Sequence, residues 1–305
     1  MEIFTILFKS ILSMFITISV GALAYKKNII SDEHLIGLNN ILAFIILPCL
    51  IVSNFCISYS QEVFINLIYT TLLGSLVYII PFILSSVCFK SKEQLERFTV
   101  IFSNTGFIGI PLVQATIGEQ YVIYMSVHLV ATTILAWTLG VYILSNDKRE
   151  INAKKIIKNP CVYASIIGIL IFLLDIPISD IIYNPIREIG MSCTLISFII
   201  IGCYLAKTNI GNNFKNIKLY KLSILRLLGA PIITGLLLCL VPSSLNEIKL
   251  LTIITACTPV GAIITVLAQM YNKRPDIGAF YIIFTTALSA LTLPLIVQIF
   301  YNLWI

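Results

Sequence analysis

The chain has 305 residues, of which 58% are hydrophobic and 11% charged, and its mean hydropathy is +0.99. Soluble domains carry roughly a quarter charged residues, and no water-soluble fold has enough interior to hide this much apolar side chain. The formal net charge of +6 does not point to nucleic acid, because the basic residues are scattered over short links and form no patch with interleaved aromatics.

A bilayer core about 30 Å thick takes roughly 20 apolar residues per helix, so a chain of this length with short loops crosses about ten times. The first apolar stretch, 4–25, contains Ala22-Leu23-Ala24, which has the look of a signal-peptide cleavage site. Its run is too long for a signal core, and Lys26 and Lys27 follow it instead of preceding it, so it reads as the first helix. Further stretches follow at 35–56, 63–89, 98–118, 121–144, 161–176, 187–206, 219–242, 248–271 and 277–304. The link from Ser145 to Pro160 holds the main charge run, and none is long enough for a soluble domain. Cys49, Cys56, Cys88, Cys161, Cys193, Cys203, Cys239 and Cys257 fall inside or at the edge of these stretches, without a C-x-x-C pair, and read as small core residues.

Lys and Arg crowd into alternate links. Lys26 and Lys27 mark the first; Lys90, Lys92 and Arg97 the third; Lys148, Arg149, Lys154, Lys155 and Lys158 the fifth. Lys207, Lys215, Lys218 and Lys221 mark the seventh, and Lys273 and Arg274 the ninth. Of the other basic residues, Lys9 and Arg226 lie within stretches, leaving Arg187 and Lys249 to the opposite face. The positive-inside rule makes the crowded face cytoplasmic and places both termini outside, in a cell membrane protein whose surroundings are the lipid bilayer.

A shift of 153 residues places Ile36-Gly37 on Ile189-Gly190, Leu42 on Leu195, Thr105 on Thr258, Ile110 on Ile263, Val113 on Val266, Ala115 on Ala268, and Thr132-Thr133 on Thr285-Thr286. Each half then holds five helices, an odd number, so the second half enters the membrane from the opposite side. The expected fold is an all-α polytopic membrane protein of two inverted five-helix repeats, 1–145 and 161–305, joined by a cytoplasmic linker over 146–160.

Within the fourth stretch, Phe102-Ser103-Asn104-Thr105-Gly106-Phe107-Ile108-Gly109-Ile110-Pro111 is a poor continuous helix. Proline removes a backbone donor and clashes one turn back, and glycine is costly in a helix interior. The ninth stretch has the counterpart, Thr255-Ala256-Cys257-Thr258-Pro259-Val260-Gly261-Ala262. Interrupted segments at matching positions of two halves point to a transporter's binding site, where half-helix N-termini suit an anion such as a carboxylate. Small residues also serve plain helix packing, but a pair of breaks at related positions, with Asn104 adding donors and an acceptor, favours the site.

Asn-Thr-Gly-Phe-Ile-Gly-Ile-Pro-Leu (104–112), Ile-Leu-Pro-Cys-Leu (46–50), Lys-Asn-Pro with Gly-Ile-Leu (158–170) and Thr-Pro-Val with Leu-Ala-Gln-Met-Tyr (258–271) resemble the auxin efflux carrier family. That family includes the plant PIN carriers and bacterial permeases for malate and malonate. The resemblance covers essentially the whole chain. It implies the ten-helix inverted-repeat fold of bile-acid symporters and sodium/proton antiporters, with the fourth and ninth helices broken and crossing. Asn104, Pro111 and Pro259 match its crossover positions, and Asn104 would contact the substrate carboxylate. Ser192-Cys193-Thr194 departs from the proline often found there in relatives, and the long cytoplasmic loop of the plant carriers is missing.

Few ionisable residues fall within the stretches. His128 lies about seven residues from the outer boundary and is either a proton-coupling group or a histidine hydrogen-bonded between helices. Arg226 lies about seven residues into the eighth stretch, within reach of lipid phosphates by snorkelling or of substrate as a counter-charge. No carboxylate sits clearly at mid-membrane, so neither a carboxylate proton relay nor a charged sodium cage is evident; the coupling ion would be H+ or Na+, with sodium held by neutral oxygens at unwound backbone. No metal site, other cofactor or nucleic-acid partner is expected; a homodimer is compatible with the pattern.

These features together describe a secondary carrier of a small organic anion, a mono- or dicarboxylate, working by alternating access. Asn104 and Thr105 orient the carboxylate, Gly106 and Gly109 allow close backbone approach, Thr258 adds a hydroxyl, Gly261 is a further substrate-binding candidate, and Pro111 and Pro259 hold the breaks. The alternative is a membrane sensor or channel-like protein on the same fold. An intramembrane enzyme lacks its motifs: there is no H-E-x-x-H, no G-x-S-x-G and no paired mid-membrane aspartates. Without an ATP-binding loop, any pumping draws on an ion gradient.

Overall fold

The computed structural model describes residues 2–151, 159–207 and 213–304, so the middle of the linker expected over 146–160, with Lys154, Lys155 and Lys158, lies outside the described residues. The main helices are α1 (Ile3–Lys26), α2 (Asp32–Phe55), α3 (Gln61–Cys88), α4 (Gln94–Ile101), α5 (Ile110–Thr116), α6 (Glu119–Ser145), α7 (Pro160–Leu173), α8 (Asp180–Lys207), α9 (Ile217–Leu238), α10 (Asn246–Cys257), α11 (Ile263–Met270) and α12 (Asp276–Trp304). Seven of them, α1, α2, α3, α6, α8, α9 and α12, are long and apolar enough to cross a membrane, while α7 is apolar and shorter. The fourth and ninth apolar stretches are each split, into α4 with α5 and into α10 with α11. Large apolar side chains face outward along the helices, with Val87 and Leu240 80% and 83% exposed, as suits a molecule whose surroundings are lipid.

Three prolines act on their helices in the same way. Ahead of Pro48, Pro111 and Pro231 the helix widens into a π turn, over Leu42–Ile46, Thr105–Gly109 and Leu225–Gly229. In each, the residue just before the proline donates five residues back, Leu47 to Leu42, Ile110 to Thr105 and Ala230 to Leu225. A proline ring crowds the carbonyl four residues earlier and brings no N–H, and the wider turn relieves the clash while keeping the preceding donor paired.

The seventh apolar stretch begins earlier than hydropathy indicates. Expected from 187, its helix α8 starts at Asp180, because Ser179 ends the extended approach and its carbonyl accepts from Ile182 and Tyr183. The added turns carry Asp180, Asn184 and Pro185, which depress a hydropathy average yet are tolerated at an aqueous end; next to them Arg187 pairs with Glu119 of α6 at 2.7 Å. Around Ser192 the helix makes a turn and continues.

Close packing fixes the frame. Gly21 of α1 and Gly202 of α8 let the two backbones touch, since a Cβ on either would run into the main chain of the other helix. Gly190 does the same against Leu50 of α2, where a Cβ would lie 2.7 Å from the Leu50 Cα. Polar contacts tie helix ends on each face: Lys218 to Glu93 at 2.9 Å and Lys207 to Asp32 at 2.8 Å on one, Arg187 to Glu119 on the other. The Lys218 ammonium, with the Lys90 N–H, holds the Glu93 carboxyl below the usual carboxylate range. The Phe4 N–H donates to Gln298 Oε1 at 3.1 Å, bringing the two ends of the chain together. Among the cysteines, Cys161, Cys193, Cys203 and Cys257 are buried, whereas Cys239 is exposed and takes a contact from the Trp304 indole N–H at 3.4 Å.

Candidate functional site at the crossing of two broken helices

Helix α4 stops at Ile101, and Phe102 adopts an extended conformation; α10 stops at Cys257, and Thr258 does the same. The two opened segments meet and run antiparallel. The Asn104 N–H donates to the Pro259 carbonyl at 2.7 Å, and the Gly261 N–H to the Phe102 carbonyl at 3.0 Å, so that Ser103 faces Val260. The N–H groups of Asn104 and Gly261, released by the breaks, are thus paired in the interior, where a low-dielectric medium penalises unpaired groups. Gly261 is required by this approach: a Cβ there would lie 2.7 Å from the Ser103 carbonyl oxygen.

The crossing is supported on both sides by threonines 153 residues apart. Thr285 of α12 accepts from the Val260 N–H through Oγ1 at 3.2 Å. Thr132 of α6 lies 3.4 Å from the Thr105 hydroxyl, which is 3.1 Å from Ser103 Oγ. Tyr78 of α3 extends this run, with its hydroxyl 2.8 Å from Thr132 Oγ1 and donating to the His128 carbonyl at 2.8 Å. Asn104 begins the turn that follows, where its Oδ1 accepts from the Phe107 N–H at 3.3 Å.

Beside the crossing lies a cavity of about 660 Å³, bordered by α2, α3, α5, α6 and α8. Its wall carries Asn54, Asn66 and Gln114, and its rim the Arg187–Glu119 pair together with Glu62. Asn54 Nδ2 donates to Ser126 Oγ at 2.8 Å, which orients its amide. A family profile described as "Membrane transport protein" matches residues 6–297. The chain belongs to the auxin efflux carrier family. This is a family of membrane transporters. No curated protein matches the chain.

Within this carrier-family chain, the residues singled out from sequence fall into three places. Gly106 lines the cavity, and a Cβ on it would stand 3.0 Å from Leu129 Cδ1. Asn104, Thr105, Gly109, Thr258 and Gly261 are buried at the crossing and do not line the cavity, and Pro111 and Pro259 belong to the breaks themselves. At Gly109 the space is taken by the Met125 methyl, 2.7 Å from where a Cβ would be. Asn104 is 3% exposed, and its Nδ2 has no partner among the described residues.

His128 and Arg226 lie apart from the cavity wall. His128 is buried against Gly74, where a Cβ would collide with the imidazole, and its Nε2 has no partner among the described residues. Arg226 does not snorkel: it is fully buried and donates to three backbone carbonyls, which supply the partners a buried charge requires. Asn54, Asn66 and Gln114 were not singled out from sequence. The signal that finds them is an amide side chain inside or at the edge of an apolar stretch, where it costs free energy unless paired or solvated.

Proposed function

We propose that the chain is a secondary carrier of small organic anions, mono- or dicarboxylates such as malate or malonate, that works by alternating access about the crossing. The observation that carries this reading is the antiparallel meeting of two helix breaks beside a polar-walled cavity. Breaks of this kind supply what an anion needs in an apolar interior: half-helix N-termini with partial positive charge and free N–H groups. Membership of a membrane transporter family supports carriage as the activity.

On this reading the molecule crosses the plasma membrane ten times, as inverted repeats 1–145 and 161–305. The 153-residue spacing of Thr132 and Thr285, each bonded to one break, supports the repeat, and so does the antiparallel sense of the crossing. The basic links face the cytoplasm and the termini face outward, so the cavity with its Arg187–Glu119 rim opens to the outside. Substrate enters from there, contacts Gly106 at the cavity floor, and reaches Asn104 as the crossing shifts. Asn104 Nδ2, buried and without a partner, then donates to the carboxylate.

Removing that donor tests the assignment. Asn104→Ala is expected to lower carboxylate flux about 10- to 100-fold, the scale of one hydrogen bond to a charged group, while the protein remains folded. A folded Asn104→Ala protein with unchanged flux removes Asn104 from the substrate's path.

A further inference from the structure

The breaks bring the C-terminal ends of α4 and α10 together. A helix C-terminus carries partial negative charge on its unpaired carbonyls, and two such ends in an apolar interior repel each other and lack partners. Arg226 lies between them. From the π turn ahead of Pro231 in α9, its Nη1 donates to the Val100 carbonyl in the last turn of α4 at 3.3 Å. Its Nη2 donates to the Ala256 carbonyl in the last turn of α10 at 3.0 Å, and its Nε to the Thr258 carbonyl at 3.1 Å. The side chain is 0% exposed, and among the described residues no carboxylate pairs with it.

A buried charge is expensive unless something of opposite sign surrounds it, and here the two helix ends are that surrounding. The guanidinium suits the task because its planar fork directs several donors at once, where an ammonium offers a compact point charge. With Nε, Nη1 and Nη2 each donating to a carbonyl, and with no place on the cavity wall, it does not meet substrate in the cavity.

We infer that Arg226 is the resident cation of the crossing, supplying the positive charge that a metal cation bound to unwound carbonyls would otherwise supply. Two consequences follow. Helix α9 is fastened to both half-helices, so α4, α9 and α10 shift as one body. The crossing also needs no sodium at these carbonyls, and flux, which rests on the carrier reading proposed above, is independent of a sodium gradient.

The test uses the full-length protein, as wild type, R226K and R226M. Thermal unfolding in detergent is compared in sodium chloride and choline chloride at equal ionic strength, and initial carboxylate uptake is measured in proteoliposomes in the same salts. The wild type is expected to melt and transport equally in both. Folded R226K should melt closer to wild type than R226M and keep uptake within about tenfold of it, whereas folded R226M should lose roughly tenfold or more, because it leaves two helix ends uncompensated. Sodium-dependent melting or uptake of the wild type, folded R226M that transports normally, or folded R226K that does not transport would each overturn the inference. If R226M does not fold, the salt comparison on the wild type and R226K decides. If the wild type carries no carboxylate, the transport reading fails, and the melting comparison still tests Arg226.

Discussion

At Gly261 the two opened segments come as close as main chains can, with the Ser103 carbonyl where a Cβ would be. Gly109 is obstructed only by the Met125 methyl, the far end of a flexible side chain. The two glycines therefore respond differently to the same substitution. Gly261→Ala must push the segments apart and strain the Asn104–Pro259 and Gly261–Phe102 hydrogen bonds, at a cost of about 1–3 kcal/mol. Gly109→Ala needs only a rotamer change at Met125, costing under about 1 kcal/mol. Thermal unfolding of the two variants checks this: equal melting temperatures would mean that the crossing does not depend on contact at Gly261. This scale was only partly legible in the sequence. Gly261 was a substrate-binding candidate in the ninth-stretch motif, and the contact with the Ser103 carbonyl that its missing Cβ permits could not be read there. The partners of Arg226 were not legible at all. They are backbone carbonyls of Val100, Ala256 and Thr258, and a carbonyl has no residue identity for a pattern to detect.

At the scale of elements, apolar runs bounded by charge placed the helices well, because a helix in lipid must satisfy its own backbone and clothe it in apolar side chains. The splits in the fourth and ninth stretches were legible as clusters of Gly and Pro. What escaped was the start of α8 at Asp180, since charged residues at an aqueous helix end lower a hydropathy average without breaking the helix. The π turns ahead of Pro48, Pro111 and Pro231 escaped as well, for a proline announces a disturbance but not whether the helix kinks, breaks or widens. Pro111 offers a test of what widening does. With alanine there, an N–H returns and the clash with the preceding turn disappears, so the Thr105–Gly109 turn can tighten to an ordinary helix. That change re-registers Gly106 against the cavity. Pro111→Ala is expected to melt no lower than wild type while its flux falls roughly tenfold; unchanged flux would mean that the widened turn has no part in carriage.

For the whole molecule, a single physical requirement links the frame to the site. An interior without water must pair every polar group, and breaking two helices at mid-molecule creates many that need partners. The crossing, the threonines of α6 and α12, and Arg226 meet part of that demand; among the described residues Arg97 Nε, Asn104 Nδ2, His128 Nε2 and Thr286 Oγ1 are buried without partners. On the proposed reading a carrier uses the unmet capacity at Asn104 for its cargo, and the cavity lined by Asn54, Asn66 and Gln114 lies beside the crossing. The measurement that tests this account most directly is uptake of labelled malate, malonate and an aromatic carboxylate by the wild-type protein in proteoliposomes, under a proton gradient, a sodium gradient or neither. The account predicts saturable uptake of at least one carboxylate, reduced by competing unlabelled anion and indifferent to sodium. A folded protein that moves none of the three, or moves them without saturation, would contradict it.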